Sequence, residues 1–215
     1  MIDCDAVLFD MDGTLVDSRQ IVERIWLHWA AEHRLAPEAV LAVAHGRRTF
    51  ETMQLVAPEL ATPEEAARLD ALEAEQEGGE VAVLGAAALL DAIAVDRWAV
   101  VTSAARHIAL SRLATVGLPA SGVLVAAEDV PNGKPAPDGY LRAAEQLHVA
   151  PRRCIVIEDT PAGVQAGRAA GATVIGLLTT FPRLDQCDVV IPDLRAIRAE
   201  ATARFGPIRL VVDTG

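Results

Sequence analysis

Apolar positions recur along the chain in two rhythms, and the change of rhythm divides it. Ala6-Val7-Leu8-Phe9 is an unbroken apolar run, which predicts a buried strand. From about residue 16 to residue 79 the spacing becomes helical. Ile21, Val22, Ile25, Trp26 and Trp29 share one face, with Glu23, Arg24 and His28 on the other. Pro37-Glu38 and Thr62-Pro63-Glu64-Glu65 read as helix starts, with Thr62 as a cap. The acidic stretch 73–79 ends in two glycines and suits a hinge. Beyond it, helical patterns near 86–94, 108–116, 140–147 and 162–170 alternate with short apolar runs. Those runs lie at 98–101, 123–125, 154–157, 173–177 and 189–191, with a short terminal strand at 208–212. Runs that are apolar on both faces and alternate with helices predict a parallel sheet covered by helices. The expected fold is α/β: a Rossmann-like parallel core from residues 1–15 and 81–215, with a small α-helical domain inserted at 16–80.

Composition narrows the partners more than the fold. The 215 residues are 52% hydrophobic and 23% charged, as in globular chains. No stretch approaches the roughly 20 apolar residues of a membrane span. The first residues carry Asp3, Asp5, Asp10 and Asp12, unlike a cationic secretory leader, so a cytoplasmic location is expected. Cys4, Cys154 and Cys187 lack metal-ligand spacing and read as small core or near-core residues. The net charge of −11 argues against nucleic acid and anionic membranes as partners. It leaves a small phosphorylated metabolite open, because distant charges are screened over roughly 8 Å and local cations decide. Nothing calls for a partner chain, and a monomer is favoured.

Candidate chemistry begins at Asp10 and Asp12, one residue apart at the end of the first apolar run, with Gly13 next. Grouped carboxylates repel unless a cation or proton offsets them, which suggests a divalent metal and phosphoryl chemistry. Ligands of parallel α/β sheets sit beyond the carboxyl ends of strands. Three further polar groups fall there: Thr102-Ser103, the loop Gly133-Lys134-Pro135, and Glu158-Asp159. Each has a plain alternative. Thr102 caps a helix, Lys134 is a solvated loop charge, and Asp159-Thr160-Pro161 begins a helix. Their convergence on one sheet edge is the stronger signal.

These four segments resemble, in order, the signatures of the haloacid-dehalogenase-like hydrolases, and the helical block resembles that family's small cap. The resemblance implies Asp10 as nucleophile and Asp12 as general acid and base. Thr102 or Ser103 would donate to phosphate, and Lys134 would neutralise its charge and restrain Asp10. Mg²⁺ would be held by Asp10, Asp159 and the Asp12 carbonyl, with Glu158 beside the ligands rather than on the metal. Asp12 points to phosphorus chemistry, because the dehalogenases of the family lack such an acid. Phosphomutases of the family carry a histidine just after the Asp-Ser or Asp-Thr that opens the cap. Here Asp17-Ser18 is followed by Arg19-Gln20-Ile21-Val22-Glu23, without one. Ala44-His45-Gly46-Arg47-Arg48-Thr49 resembles a cap segment of the sugar and polyol phosphatases. By that likeness His45, Arg47 and Arg48 meet substrate; otherwise Gly46 is a turn and the arginines are solvated. The expectation is an Mg²⁺-dependent sugar or polyol phosphatase. A phosphomutase is the alternative, and a non-catalytic phospho-metabolite sensor is disfavoured by the intact acid pair.

Overall fold

The computed structural model describes residues 1–76, 78–120, 122–201 and 206–213. Its main sheet has six parallel strands: β2 (Ala6–Phe9), β5 (Trp98–Val101), β6 (Leu124–Val125), β7 (Cys154–Glu158), β8 (Thr173–Leu177) and β9 (Val189–Ile191). Their order across the sheet is β6-β5-β2-β7-β8-β9. β2 lies in the middle, pairing Val7 with Trp98 on one side and Ile155 on the other. The chain leaves β2 towards β5 and later returns to β7, so the strand order reverses at β2. That reversal opens a crevice at the strand ends.

The sheet is apolar on both faces because side chains alternate along each strand. Val7, Phe9, Trp98, Val100, Ile155 and Ile157 point to one layer. There they meet Leu89 and Leu90 of α5 (Ala86–Ala92) and Ala109 and Leu113 of α6 (Arg106–Thr115). Ala6, Leu8, Ala99, Val101 and Val156 point to the other layer. That layer holds Tyr140, Ala143 and Ala144 of α7 (Asp138–Gln146), and Val164 and Ala166 of α8 (Pro161–Ala169).

The helical block consists of α1 (Arg19–His33), α2 (Pro37–Ala44), α3 (Thr49–Val56) and α4 (Pro63–Ala74). It has its own core, in which Ile21, Ile25, Trp29, Val40, Met53 and Leu69 meet. The Trp29 indole N–H donates to Glu65 at 2.9 Å, so burying the ring strands no donor. Thr62 caps α4 by accepting from the Glu65 amide at 3.1 Å. The block joins the core through an antiparallel neck, β3 (Val16–Asp17) against β4 (Val81–Ala82).

Three features were not foreseen from the sequence. The neck strands are two residues each, too short to show a period of two. α3 follows α2 closely and was not separated from it. β1 (Ile2–Cys4), β10 (Ile197–Ala201) and β11 (Ile208–Val212) form a small antiparallel sheet in the order β1-β11-β10. Only β11 carried a legible apolar run. Among the described residues the three cysteines are free, two of them buried. No helix among the described residues is long and apolar enough to cross a membrane.

Truncating Trp29, which is fully buried and hydrogen-bonded, tests the independent core of the block. Trp29→Ala should lower the unfolding free energy by about 3–5 kcal/mol in urea titrations followed by circular dichroism.

Candidate active site

The carboxyl ends of β2, β5 and β7 deliver the polar groups to one place. Asp10 follows β2 directly, and its amide donates to the Ile157 carbonyl at 3.0 Å, which pins it to the sheet. Lys134 reaches in from the loop before α7. Its ammonium donates to Asp10 Oδ1, to Glu158 Oε1 at 2.6 Å and to the Val101 carbonyl at 3.3 Å. All three side chains are buried. Burial opposes the lysine charge, but Asp10 and Glu158 outweigh it and keep Lys134 protonated well above its ordinary range.

Glu158 is saturated. Its Oε1 accepts from Lys134 and from the Tyr140 hydroxyl at 2.8 Å. Its Oε2 accepts from the amides of Asp159 and Thr160 and from the Thr160 hydroxyl. Asp10 and Asp159 differ: Oδ2 of each is buried without a hydrogen-bond partner. Carboxylate oxygens of Asp10, Glu158 and Asp159 lie within 4.8 Å of one another. Burial raises Asp10 well above the carboxylate range, against the pull of Lys134. Burial, with Glu158 beside it, pushes Asp159 up to about 7. Two buried carboxylate oxygens without partners fit a hard divalent cation once ionised, and the saturated Glu158 does not compete for it. Gly13 keeps the space beside them open. Its φ is +83°, and a Cβ there would lie 2.0 Å from Asp159 Oδ2. The Thr14 hydroxyl donates to Asp159 Oδ1 at 3.2 Å, and the Thr179 hydroxyl to the Gly13 carbonyl at 2.6 Å.

Asp12 faces a cavity between sheet and helical block, lined on the core side by Asp10, Thr102, Ser103 and Arg112. Thr102 Oγ1 accepts from the Ala104 amide at 3.0 Å, which leaves its own proton free to donate. The helical block supplies Arg19, Trp26, His45, Arg47 and Glu73 to the same cavity.

The geometry reveals a family architecture, and comparison with known proteins agrees. The model of the haloacid dehalogenase-like hydrolases matches residues 4–171. This chain belongs to that family. It is similar to hexitol phosphatase A of Escherichia coli (strain K12), 44% identical over 201 residues, covering 90% of this chain and 93% of that protein. It is also similar to glycerol-1-phosphate phosphohydrolase 2 of Saccharomyces cerevisiae, 33% identical over 90% of this chain and 84% of that one. A hydrolase from Pseudomonas syringae superposes with a TM-score of 0.78 at 27% identity, covering 88% of this chain and 94% of that chain. As a member of this hydrolase family with such relatives, the chain is a phosphatase.

Against that family architecture, the residues singled out in the sequence fall into three groups. Asp10, Lys134, Glu158 and Asp159 form the buried cluster, with Asp12 and Thr102 at its mouth. His45 and Arg47 line the cavity. His45 stacks edge-on against Phe181 with centroids 6.1 Å apart, and its imidazole lies 3.6 Å from Glu23. Burial lowers its pKa, against Glu23, and favours the neutral ring. Arg47 donates to the Lys134 carbonyl at 3.4 Å. Ser103 and Arg48 engage the junction between block and core. The Ser103 hydroxyl donates to the Gly46 carbonyl at 2.9 Å. Arg48 donates to the Val130 carbonyl at 2.9 Å and the Pro131 carbonyl at 3.2 Å. Its guanidinium is turned to this loop rather than to the cavity around Asp10.

Sequence reasoning missed Tyr140, Glu73 and Arg112. Tyr140 is the single tyrosine of the chain, which signals nothing by itself. Glu73 hid in an acidic run that read as a hinge. Arg112 did leave a signal: it occupies an apolar-stripe position of α6, beside Ile108, Ala109 and Leu113.

A methyl group at Gly163 tests the cluster's geometry, since its Cβ would lie 1.6 Å from Glu158 Oε1. Gly163→Ala should displace Glu158 and with it Lys134, lowering phosphatase kcat on the order of 100-fold. Steady-state phosphate release, alongside a circular dichroism spectrum of the folded variant, measures this.

Proposed function

We propose that the protein is an Mg²⁺-dependent phosphomonoesterase that hydrolyses a small sugar phosphate or polyol phosphate through an aspartyl-phosphate. The observation that carries this reading is the pair of orphaned oxygens on Asp10 and Asp159 beside a lysine-restrained Asp10. Asp10 attacks phosphorus, and the bond from phosphorus to the leaving oxygen breaks. Asp12 gives its proton to that oxygen, and the alcohol departs. Asp12 then takes a proton from water as the water attacks the phosphoryl group, which frees Asp10 and inorganic phosphate. Lys134 and the Thr102 hydroxyl offset charge on the phosphoryl oxygens. Mg²⁺, held by Asp10, Asp159 and the Asp12 carbonyl, would add the charge neutralisation that phosphoryl transfer requires.

Residues 16–80 act as a cap, hinged at the β3–β4 neck, that closes over the crevice and excludes bulk water. The cavity measures about 580 Å³ including space open to solvent, and suits a compact substrate. Its lining combines donors and acceptors, Arg19, Arg47 and Arg112 with Glu73, and a His45 ring that burial holds towards the neutral form. That lining matches a chain of hydroxyl groups, and the named relatives act on hexitol and glycerol phosphates. Hydrolysis is favoured over phosphomutase action. The cap's opening turn carries no histidine, and His28 is exposed and paired with Glu32 at 3.3 Å.

A panel of sugar and polyol phosphates, ranked by kcat/KM, should single out a hexitol or shorter polyol phosphate. Phosphate release should vanish in Asp10→Asn and under chelation; activity surviving either defeats the mechanism. Cation binding needs Asp159 ionised, and its pKa of about 7 sets the direction of pH dependence. Mg²⁺ affinity measured by calorimetry should rise about tenfold from about pH 6 to about pH 8.

A further inference from the structure

One face of α6 buries Ile108, Ala109, Leu113 and a guanidinium, that of Arg112. Arg112 is 3% exposed, and with Lys134 it makes up the cationic side chains among the buried described residues. A charge in an apolar stripe breaks the local pattern at a cost in desolvation, which marks a position kept for something other than packing. Its Nη1 donates to Asp12 Oδ1 at 2.8 Å, and its Nη2 to Glu73 Oε1 at 2.6 Å. Glu73 lies in the last turn of α4, so the guanidinium bridges core and helical block. The Ser18 hydroxyl donates to the same Asp12 oxygen at 2.6 Å.

We propose that Arg112 is a positioning residue for Asp12, and that Glu73 links this positioning to the seating of the helical block. The inference rests on the role assigned to Asp12 under the proposed function. Two donors converge on Asp12 Oδ1, and no donor from the described residues reaches Oδ2. The carboxyl group is therefore held in one orientation, with Oδ2 as the oxygen that delivers the proton. As the Asp10–phosphorus bond forms and the ester bond breaks, that proton passes to the leaving oxygen and Asp12 is left as carboxylate. When the block lifts, Glu73 leaves with it, and Arg112 loses the partner that fixes its fork beside Asp12. Proton delivery is then strongest when the cavity is closed.

Substituted phenyl phosphates, from p-nitrophenyl to p-methoxyphenyl, separate this role from others. They carry no sugar hydroxyls, and their alcohols differ in how much they need a proton. kcat/KM reports the steps through alcohol release, so its leaving-group dependence reads proton donation. With Mg²⁺ present, wild type should depend weakly on the leaving group. Arg112→Gln should lose on the order of 10–100-fold more on the electron-rich esters than on p-nitrophenyl phosphate, in the same direction as Asp12→Asn. Arg112→Lys should recover part of that loss. Glu73→Gln should shift the slope the same way by about 3–10-fold. If Arg112→Gln does not fold, Arg112→Lys and Glu73→Gln decide the matter by the same slope. A uniform loss across the series would reduce Arg112 to a strut, and a change in KM alone would make it a substrate contact; both overturn the proposal. A wild-type protein inactive on every phenyl and polyol phosphate would instead defeat the phosphatase mechanism on which the proposal stands.

Discussion

A lysine ammonium sealed between two buried carboxylates governs the rest of the site. Lys134 costs desolvation energy that Asp10 and Glu158 chiefly offset, so the placement of the three is coupled. Each comes from a different segment: the end of β2, the end of β7, and the loop before α7. Their meeting fixes how these segments stack, and the β2–β7 pairing brings Phe9 opposite Ile157 just before the two acids. Tyr140 of α7 and the amides of Asp159 and Thr160, just before α8, complete the hydrogen bonding of Glu158, which ties the helical layer to the same point. With Lys134 committed to Asp10 Oδ1 and Glu158, the remaining oxygens of Asp10 and Asp159 are left for a cation. Stability and the proposed reactivity meet here, since the atoms that the fold leaves unsatisfied are those that the proposed chemistry would use.

Several polar contacts seat the helical block on this core. Ser103 meets the Gly46 carbonyl, Arg48 the carbonyls of Val130 and Pro131, and Glu51 the Gly133 amide at 2.9 Å. Such contacts exchange readily for water, unlike the apolar core inside the block. Two of them grip the loop that carries Lys134. The seating of the block thus reaches Lys134 through that loop and Asp12 through the Glu73–Arg112 bridge.

The sheet was legible because its strands are buried on both faces and read as unbroken apolar runs. The candidate site was legible in part because Asp10, Thr102 and Glu158 directly follow such runs. Arg48 illustrates what was not. A cationic residue beside a glycine turn looks the same in sequence whether it meets a substrate or a carbonyl, and only the position of loop 130–131 distinguishes them. Arg112 and Glu73 were hidden for a related reason. Their pairing spans 39 residues, and neither means much without the other. The small antiparallel sheet escaped because β1 and β10 are edge strands, where polar residues interrupt the alternation.

The neck has a consequence beyond hinging. Because β3 and β4 pair, the chain leaves the core and re-enters it at nearly the same point. An excursion whose two ends meet can be lengthened, trimmed or exchanged without disturbing the register of the sheet beneath. Under the proposed function, the reacting groups come with the strands, whereas the walls that would meet the rest of the substrate arrive as a detachable module. A lineage built this way can acquire a new diet by rewriting the module alone.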